Sequence, residues 1–375
     1  KDFAGCRSIL LMSAAMAGLL GILLLLLRDL IGDLGFGLAG PTDEVTHWGR
    51  LYLNIRILGA PFVLITFVMT GFLRGCGDAI SPLILTVVVN LVNVGLDFVL
   101  IYGHLGAPAM GVVGAAWASA VAGFVGAVLG GALVFYRHRT VITQKGRIFD
   151  PVRARQVIAT NGNLFGRTAC LLFTQFFGMA VVSRMGDTPL AAHAIAWQIW
   201  SIVSYFVDGF AHAAETLVGN ALGRRDRGQA IAFGRRCMVW GSGIGLMFGI
   251  GYLVSVPFLA GLFTNHAAVI AQVAVLTALL SLMQPVGGAV YILDGILIGA
   301  NDTRFLFFAM AVGAFAVYLP VILVGGRLLP GLVGVWVAYN ALMLARFSML
   351  WIRFRGRRWL PEDKAISLDT PTGCI

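Results

Sequence analysis

Long uninterrupted apolar segments, separated by short polar loops, dominate the pattern of this chain. Ten of these segments reach the roughly 20 residues that an α-helix needs to cross ~30 Å of hydrocarbon. Their apolar residues are continuous rather than alternating, which argues against the strands of a membrane β-barrel. The predicted spans are 8–30, 51–73, 80–102, 111–136, 156–183, 189–220, 231–262, 267–298, 304–326 and 331–354.

The second half of the chain repeats the first at a spacing of 224 positions. That spacing links Pro61 to Pro285, and the glycine-rich segment 71–78 to the segment 295–302. It pairs the first predicted span with the seventh and the second with the eighth. Spans that lie six apart run in the same direction, so the pattern predicts a parallel repeat of two pseudo-symmetric helical lobes, as in many transporters.

The two halves are unequal, because the fifth and sixth predicted spans have no counterpart before Lys1. We therefore expect an all-α polytopic membrane protein with ten spans present of an expected twelve, and two further helices before Lys1. The predicted domains are an N-terminal lobe with four of six helices (1–136), a basic cytoplasmic linker (137–155), a C-terminal lobe of six helices (156–358) and a cytoplasmic tail (359–375).

The composition agrees with a chain that lies in a bilayer. Of its 375 residues, 59% are hydrophobic and 12% are charged, whereas soluble domains carry about 25% charged residues. The 48 glycines favour close approach of membrane helices. The five cysteines lack the spacing of a zinc site, and no phosphate-binding loop, zinc-protease motif or nucleophile elbow is present. We expect neither an enzyme nor a cofactor.

Basic residues set the predicted orientation. Twenty Lys and Arg side chains flank one set of loops and five flank the other, so the first set, together with both termini, is predicted to face the cytoplasm. The net charge of +10 lies in short loops and does not indicate nucleic-acid binding. We expect a monomeric multi-pass protein of the cytoplasmic (inner or plasma) membrane, with the lipid bilayer as its surroundings.

Polar residues inside predicted spans are candidate functional residues, because charge in hydrocarbon is costly. Asn90, Asn93 and Asp97 lie on the third predicted span, and Asn93 and Asp97 share one helix face. A buried Asp there can take up and release a proton or hold Na⁺. The alternative is a wetted, inert Asp at the outer end of the helix. Thr70 is a weaker candidate that lies 224 positions before Asp294.

The sixth predicted span carries a second polar group. Asp208, His212 and Glu215 fall at positions i, i+4 and i+7, on one helix face. A histidine between two carboxylates can relay protons or bind a cation. The alternative is that Glu215, near the cytoplasmic end, pairs with Arg224 or Arg225.

The remaining polar residues receive structural and functional interpretations. Arg167, midway along the fifth predicted span, needs a partner, and we expect a carboxylate of the C-terminal half. Asp294 is expected to face the bundle interior and to join the second polar site with Arg167. Asp78 and Asp302 follow glycine-rich turns and are interpreted as helix N-caps. His193 is interpreted as a satisfied interfacial residue.

Three motifs resemble the multidrug and toxic compound extrusion (MATE) family. Leu-Arg-Gly-Cys-Gly-Asp at 73–78, followed by Asn90, Asn93 and Asp97, resembles the first lobe of that family. Two further segments resemble the DinF branch of the family: Asp-Gly-Phe-Ala-His-Ala-Ala-Glu at 208–215 and Leu-Asp-Gly-Ile-Leu-Ile-Gly-Ala at 293–300. The resemblance covers about residues 1–358.

The resemblance implies a twelve-helix antiporter that exchanges H⁺ or Na⁺ for organic, often cationic, amphipathic compounds. Asn93 and Asp97 match the family's Asn and Asp on the fifth helix of the first lobe. A further family Asp, on the first helix, has no match in this chain, because that helix would precede Lys1.

We therefore predict a cation-coupled antiporter that exports organic cations across the cytoplasmic membrane. The coupling ion is H⁺ or Na⁺, and no other metal is expected. One alternative is a flippase of lipid-linked sugars, which would need a cationic cavity, whereas the in-span charges here are mostly acidic. The other alternative is a fragment of a transporter that does not itself transport.

Overall fold

The computed structural model describes residues 3–39, 43–144, 151–329 and 331–360. Within these residues every regular element is helical, and ten helices are long and apolar enough to cross a membrane, which confirms the predicted fold class. Spans 1 to 10 are, in order, Phe3–Leu26, Asp43–Gly75, Ile80–Tyr102, Val112–Arg137, Pro151–Ser183, Asp187–Gly223, Arg227–Val256, Thr277–Gly299, Thr303–Gly325 and Leu332–Arg355.

Several predicted boundaries were wrong, and at two of them a separate helix adjoins the span. Span 1 ends at Leu26, and a separate helix, Arg28–Ala39, follows it; its charged side chains disfavour a continued path through hydrocarbon. The predicted eighth span began at 267, but the structure has a short helix, Ala267–Val275, before span 8 begins at Thr277.

The remaining helices either extend a span or divide it. The helix of span 7 runs on to Phe263, and a one-turn helix, Arg139–Ile142, follows span 4. Span 8 contains the helices Thr277–Leu282 and Gln284–Gly299. Span 9 is made of Thr303–Val312, the π-helical segment Gly313–Tyr318 and the start of Leu319–Leu328, which runs three residues past the span.

The described residues divide into two compact units, one up to Val157 and the other from Ile158 onward. In the first unit, span 2 packs against spans 1 and 4. Gly59 of span 2 faces Ala120 of span 4, where an added Cβ would lie 2.9 Å from the Ala120 Cα. Only glycine permits so close an approach of two helices.

In the second unit, span 8 packs against spans 6, 7 and 10 and is the most buried of the ten spans. Gly245 of span 7 meets the backbone of span 8, where an added Cβ would lie 2.8 Å from the carbonyl carbon of Gln284. This close packing holds span 8 at the centre of the unit. Asp294 therefore lies in the interior, as predicted, and is 5% exposed.

Asp78 and Asp302, which precede spans 3 and 9, accept hydrogen bonds from different kinds of partner. The Asp78 carboxylate accepts hydrogen bonds from the backbone N–H groups of Ile80 and Ser81 at 3.1 and 2.9 Å, at the start of span 3, which confirms its capping role. The capping prediction was wrong for Asp302, whose side chain makes no such bond. Its Oδ2 instead accepts a 2.8 Å hydrogen bond from Nε of Arg353 in the last turn of span 10, a stronger charged partner.

Candidate functional site

A carboxylate shared by two guanidinium groups lies in the interior of the second unit. Asp294 Oδ2 accepts hydrogen bonds from Arg167 of span 5 and from Arg346 of span 10, whose Nη2 lies 2.6 Å away. The pairing of Arg167 with a carboxylate of the C-terminal half was predicted and is confirmed. Arg346, which is 3% exposed, was absent from the predicted site, although an arginine inside a span satisfies the same rule.

Close packing brings span 9 against span 10 beside Arg346. At Gly313 of span 9, an added Cβ would lie 2.9 Å from Leu342 Cδ1 of span 10, whereas its 3.4 Å distance from Arg346 Cγ would be ordinary contact. The π-helical segment that begins at Gly313 ends at Tyr318, whose hydroxyl donates a 2.8 Å hydrogen bond to the Thr174 carbonyl. The Tyr339 hydroxyl donates to the same oxygen at 3.2 Å. Spans 5, 9 and 10 are thereby tied together beside the charges, and such π-helical turns are frequent at functional sites.

A cavity of about 440 Å³ lies beside these charges, entirely within the second unit. Six of its lining side chains are aromatic: Trp197, Trp200, Tyr205, Tyr291, Trp336 and Tyr339. The rings of Trp200 and Trp336 lie 5.7 Å apart, and those of Trp197 and Tyr339 lie 5.4 Å apart. A volume of this size, with aromatic walls and polar side chains among them, is typical of a small-molecule site. We call it the aromatic cavity.

The polar lining of the aromatic cavity is ordered by hydrogen bonds. The Tyr291 hydroxyl accepts hydrogen bonds from Ser204 Oγ at 3.0 Å and from Trp200 Nε1 at 3.3 Å. These bonds join span 6 to span 8 and fix two of the aromatic walls. Tyr291, Trp200 and Ser204 were not among the predicted site residues, because no sequence signal separates them from other residues of apolar spans.

Charges in and beside the aromatic cavity balance. Arg167, Arg346 and Asp208 contribute to its lining, and Asp294 holds the two guanidinium groups. Among the described lining residues, Asp208 is the only carboxylate. Two positive and two negative charges therefore leave this group neutral while both aspartates are ionised. The predicted excess of acidic in-span residues concerned all spans together, whereas at this site Arg346 joins Arg167 and the two arginines balance the two carboxylates.

The other predicted residues of span 6 lie outside the described lining of the aromatic cavity. His212 Nδ1 lies 3.2 Å from Glu215 Oε2, and the two side chains form a local pair. His193 is 2% exposed and lies among the rings of Trp197, Trp336 and Tyr339. Its Nδ1 has no hydrogen-bond partner among the described residues, so the interpretation as a satisfied interfacial residue was wrong.

The predicted coupling residues lie in the first unit. Asp97 is half-buried, and its Oδ1 is enclosed without a hydrogen-bond partner among the described residues. Asn93 Nδ2 lies 3.4 Å from Ser119 Oγ, which links span 3 to span 4. Asn90 and Thr70 each donate to a carbonyl four residues earlier on their own helix, and Asn90 is exposed. No hydrogen bond among the described residues joins Asn90 or Thr70 to Asp97.

No group of three or more His, Cys, Asp and Glu side chains in the described ranges could hold a metal ion. A bound ion at Asp97 would thus rely on one carboxylate together with amide, hydroxyl or carbonyl oxygens.

Ten helical spans in two compact units, with charges enclosed beside a solute-sized cavity, define a multi-pass membrane transporter. The chain belongs to the MatE family, whose model matches residues 1–99 and 164–324. The matched segments include Asp97, Arg167, Asp208 and Asp294, whereas Arg346 lies beyond them.

Several relatives support this assignment. DNA damage-inducible protein F of Escherichia coli (strain K12) is 31% identical over 343 residues, which cover 89% of this chain and 70% of that protein. This similarity confirms the predicted likeness to the DinF branch. The probable multidrug resistance protein NorM of Thermotoga maritima is 25% identical over 330 residues, which cover 86% of this chain and 69% of NorM.

The solved structure of the Vibrio cholerae MATE transporter VcmN in the bent form has a TM-score of 0.78. It is 17% identical, and the match covers 95% of this chain and 85% of that one, so the likeness is one of fold. Protein DETOXIFICATION 43 of Arabidopsis thaliana is 27% identical over 306 residues, which cover 82% of this chain. The chain spans 56% of the length of that relative.

Proposed function

We propose that this protein is a cation-coupled antiporter that exports organic cations across the cytoplasmic membrane. The observation that carries the proposal is the aromatic cavity, with Asp208 as the only carboxylate among its described lining residues. Membership of the MatE family and the name of the NorM relative, a probable multidrug resistance protein, support the same function.

The lining of the aromatic cavity suits a flat or amphipathic cation. Aromatic faces attract a positive charge, and apolar ring systems gain from burial against tryptophan. Asp208 supplies the opposite charge, whereas Arg167 and Arg346 are held by Asp294. The cation would therefore bind next to Asp208 and stack on the tryptophan rings.

A change of charge at Asp208 provides the proposed exchange. With Asp208 ionised, the group of Arg167, Arg346, Asp208 and Asp294 is neutral and tolerates a monovalent cation. Protonation of Asp208 leaves a net charge of +1, which repels that cation inside a low-dielectric bundle. Proton uptake at this carboxylate would thus weaken cation binding, which is the antagonism that an antiporter requires.

Asp97 is proposed as the second ion-coupling residue, with Asn93 beside it. The Asp97 Oδ1 atom is enclosed and has no hydrogen-bond partner among the described residues. A proton or Na⁺ therefore binds this oxygen more favourably than it binds a carboxylate in water. Asn90 and Thr70 remain weaker candidates because they bond to their own helices. Each coupling ion that crosses the membrane supplies about 2.3 kcal/mol per 100 mV.

The two alternatives differ in what they require. A flippase of lipid-linked sugars needs a surplus of positive charge for an anionic headgroup, whereas the aromatic cavity is neutral with both aspartates ionised. A fragment without transport activity is consistent with the 56% coverage of the Arabidopsis relative. Such a fragment would still bind a cation in the second unit, so binding and transport are tested separately.

Transport is tested with the purified chain in proteoliposomes, by release of a fluorescent organic cation under an imposed pH or Na⁺ gradient. Asp97→Asn and Asp208→Asn are each expected to abolish gradient-driven movement. Asp43→Asn and Asp187→Asn are matched controls, because both residues are exposed in the first turns of spans 2 and 6. Wild-type rates in Asp97→Asn and Asp208→Asn would contradict both assigned roles.

Binding is tested by quenching of tryptophan fluorescence on titration with the same cation. Asp208→Asn is expected to weaken binding about tenfold, because it removes the only lining carboxylate, whereas Asp187→Asn leaves binding unchanged. Binding without transport in the wild-type chain would favour the fragment. Tight binding of an anionic sugar-lipid analogue instead of the cation would favour the flippase.

A further inference from the structure

A second cavity, of about 710 Å³, lies where span 7 begins and span 10 ends. It shares no lining residue with the aromatic cavity. Both helix ends carry many of the basic residues that predict the cytoplasmic side of the membrane. Its described lining, which we call the arginine groove, comprises Ile231, Arg235, Met238, Val239, Ser242, Trp351, Phe354, Arg355, Arg357 and Trp359.

The arginine groove carries unbalanced positive charge. Arg235, Arg355 and Arg357 are exposed, and no Asp or Glu belongs to the described lining. No carboxylate of the described residues lies within ion-pair distance of these three guanidinium groups. The neighbouring Arg353 is different, because it pairs with Asp302 at 2.8 Å. Within the part of the chain that the structure describes, these three arginines therefore have no carboxylate partner and can receive an external anion.

Aromatic packing gives the arginine groove a defined wall. Arg357 adopts a positive φ of 55°, which turns the chain back at the end of span 10. The Trp359 side chain is thereby buried, and its Nε1 donates a 3.0 Å hydrogen bond to the Phe354 carbonyl. The rings of Phe354 and Trp359 stack at 5.5 Å, and Trp351 lies 5.9 Å from Phe354. Tryptophan is enriched at the level of lipid headgroups.

The groove continues onto an apolar surface of span 7. Val239, Trp240 and Met247 are 72, 64 and 62% exposed, and they lie on a helix that crosses the membrane. A soluble anion would gain nothing from this surface, whereas acyl chains would lie along it. Three guanidinium groups without a described carboxylate partner, tryptophan at the helix end and an apolar continuation together favour an amphipathic anion.

We propose that the arginine groove binds an anionic phospholipid of the cytoplasmic leaflet. The guanidinium groups of Arg235, Arg355 and Arg357 hold the phosphate headgroup, because arginine binds phosphate through paired hydrogen bonds. The acyl chains lie along Val239 of span 7. Basic pockets between membrane helices on the cytoplasmic side bind such headgroups. This site is separate from the proposed transport function and does not require it.

The test uses the purified full chain in native mass spectrometry with phosphatidylglycerol or phosphatidylcholine. Combined Arg235→Gln, Arg355→Gln and Arg357→Gln substitutions are expected to weaken phosphatidylglycerol binding about a hundredfold, since each of the three basic residues near the headgroup contributes about fivefold. Phosphatidylcholine binding is expected to be unchanged. The charge-matched control replaces Arg139, Arg224 and Arg304, which are exposed and lie outside the described groove, and is expected to bind as the wild type.

A second variant tests the groove without altering its charge. Ser242→Trp fills the groove and retains all three arginines, so phosphatidylglycerol binding is expected to fall. Gel filtration and a thermal unfolding curve confirm that each variant is folded. An equal loss of phosphatidylglycerol binding in the variant that replaces Arg139, Arg224 and Arg304 would show that general surface charge causes the effect, and it would overturn the proposal. Complete displacement of the lipid by millimolar inorganic phosphate would also overturn it, because the site would then recognise a free anion.

Discussion

At the scale of single residues, Asp294 is the group on which the interior of the second unit depends. Two guanidinium groups converge on one of its oxygens, and Arg346 has almost no contact with solvent. A buried charge without a partner is strongly unfavourable, whereas a buried pair contributes little net stability. The group of Arg167, Asp294 and Arg346 therefore contributes little net stability, but it limits which substitutions these positions tolerate.

We predict that Asp294→Asn lowers the free energy of unfolding by about 3–5 kcal/mol, because it leaves two guanidinium groups enclosed without an anion. Arg346→Met is expected to cost less, since Arg167 and Asp294 remain paired. Asp33→Asn is the control, because its 2.7 Å pair with Arg50 is exposed and contributes less than about 1 kcal/mol. Thermal unfolding in detergent measures all three. Equal, small effects in Asp294→Asn and Asp33→Asn would contradict an ionised Asp294.

The Asp78 carboxyl group makes stability depend on pH. Burial raises its pKa, but hydrogen bonds from Ser81, the Arg137 guanidinium 3.6 Å away and the Ile80 N–H outweigh burial, so the pKa lies below its ordinary value of 3.8. With a lowered pKa, the folded chain binds fewer protons than the unfolded chain. The resulting stabilisation is complete above the ordinary value and is lost as the pH falls through the folded pKa.

We predict that Asp78→Asn is less stable than the wild type at neutral pH and that the difference shrinks below about pH 4. Thermal midpoints between pH 3 and 7 measure this change. Burial of His138 lowers its pKa from the ordinary 6.5, and the Asp78 carboxylate opposes that shift, so both proteins are compared in a His138→Gln background. A constant difference between Asp78→Asn and the wild type at every pH would contradict the lowered pKa of Asp78.

Sequence rules predicted part of the candidate site and failed on the rest for physical reasons. The cost of a buried charge identified Arg167, Asp208 and Asp294, and it predicted a carboxylate partner for Arg167. The same rule applies to Arg346, but it does not say which charges meet. The aromatic walls had no signal at all, because Trp200 and Tyr291 in an apolar span are also expected in any packed interior.

At the scale of helices, a glycine row decides how closely spans 7 and 8 pack. Gly241, Gly245 and Gly249 are spaced four apart and all face span 8. An added Cβ would lie 2.7 Å from the Ser281 carbonyl oxygen at Gly249 and 2.9 Å from Pro285 Cα at Gly245. The high glycine content predicted close helices, but the choice of this face depends on which side of span 7 meets span 8.

We predict that Gly245→Val destabilises the second unit by about 1–3 kcal/mol or more, because its branched side chain must displace the backbone of span 8. Gly243→Val on the same helix is the matched control, since nothing lies within 4 Å of an added Cβ there. Unfolding midpoints and the monodispersity of the purified variants measure the contrast. Similar losses for both variants would show that helix propensity, and not packing, is responsible.

At helix ends, tertiary contacts override the local sequence preferences for capping. Asp78 and Asp302 stand in equivalent positions of the predicted repeat, and local propensity assigns both to capping. Only Asp78 caps a helix, since Arg353 takes the carboxylate of Asp302. The predicted spans were right in number because hydrophobic length determines them, whereas their ends depend on such contacts.

At the scale of the whole molecule, the distribution of basic residues predicts which way the chain is oriented in the membrane. The number of spans alone does not determine this orientation. An even number of crossings places both ends of the described chain on one side. The bias of twenty basic residues against five assigns that side to the cytoplasm. The parallel repeat and the division into two lobes joined by a linker at 137–155 remain predictions, and the arginine groove depends on the same orientation.

We predict that Leu105→Cys, in a background with the native cysteines replaced, reacts with a membrane-impermeant maleimide in intact cells, whereas Arg139→Cys reacts only after the membrane is opened. Both positions are exposed, and they lie at opposite ends of span 4, so a single crossing separates them. The basic residues next to Arg139 hold that end in the cytoplasm because their transfer across the bilayer is unfavourable. If only Arg139→Cys reacts in intact cells, the orientation is the reverse of the predicted one and the arginine groove faces the outer leaflet.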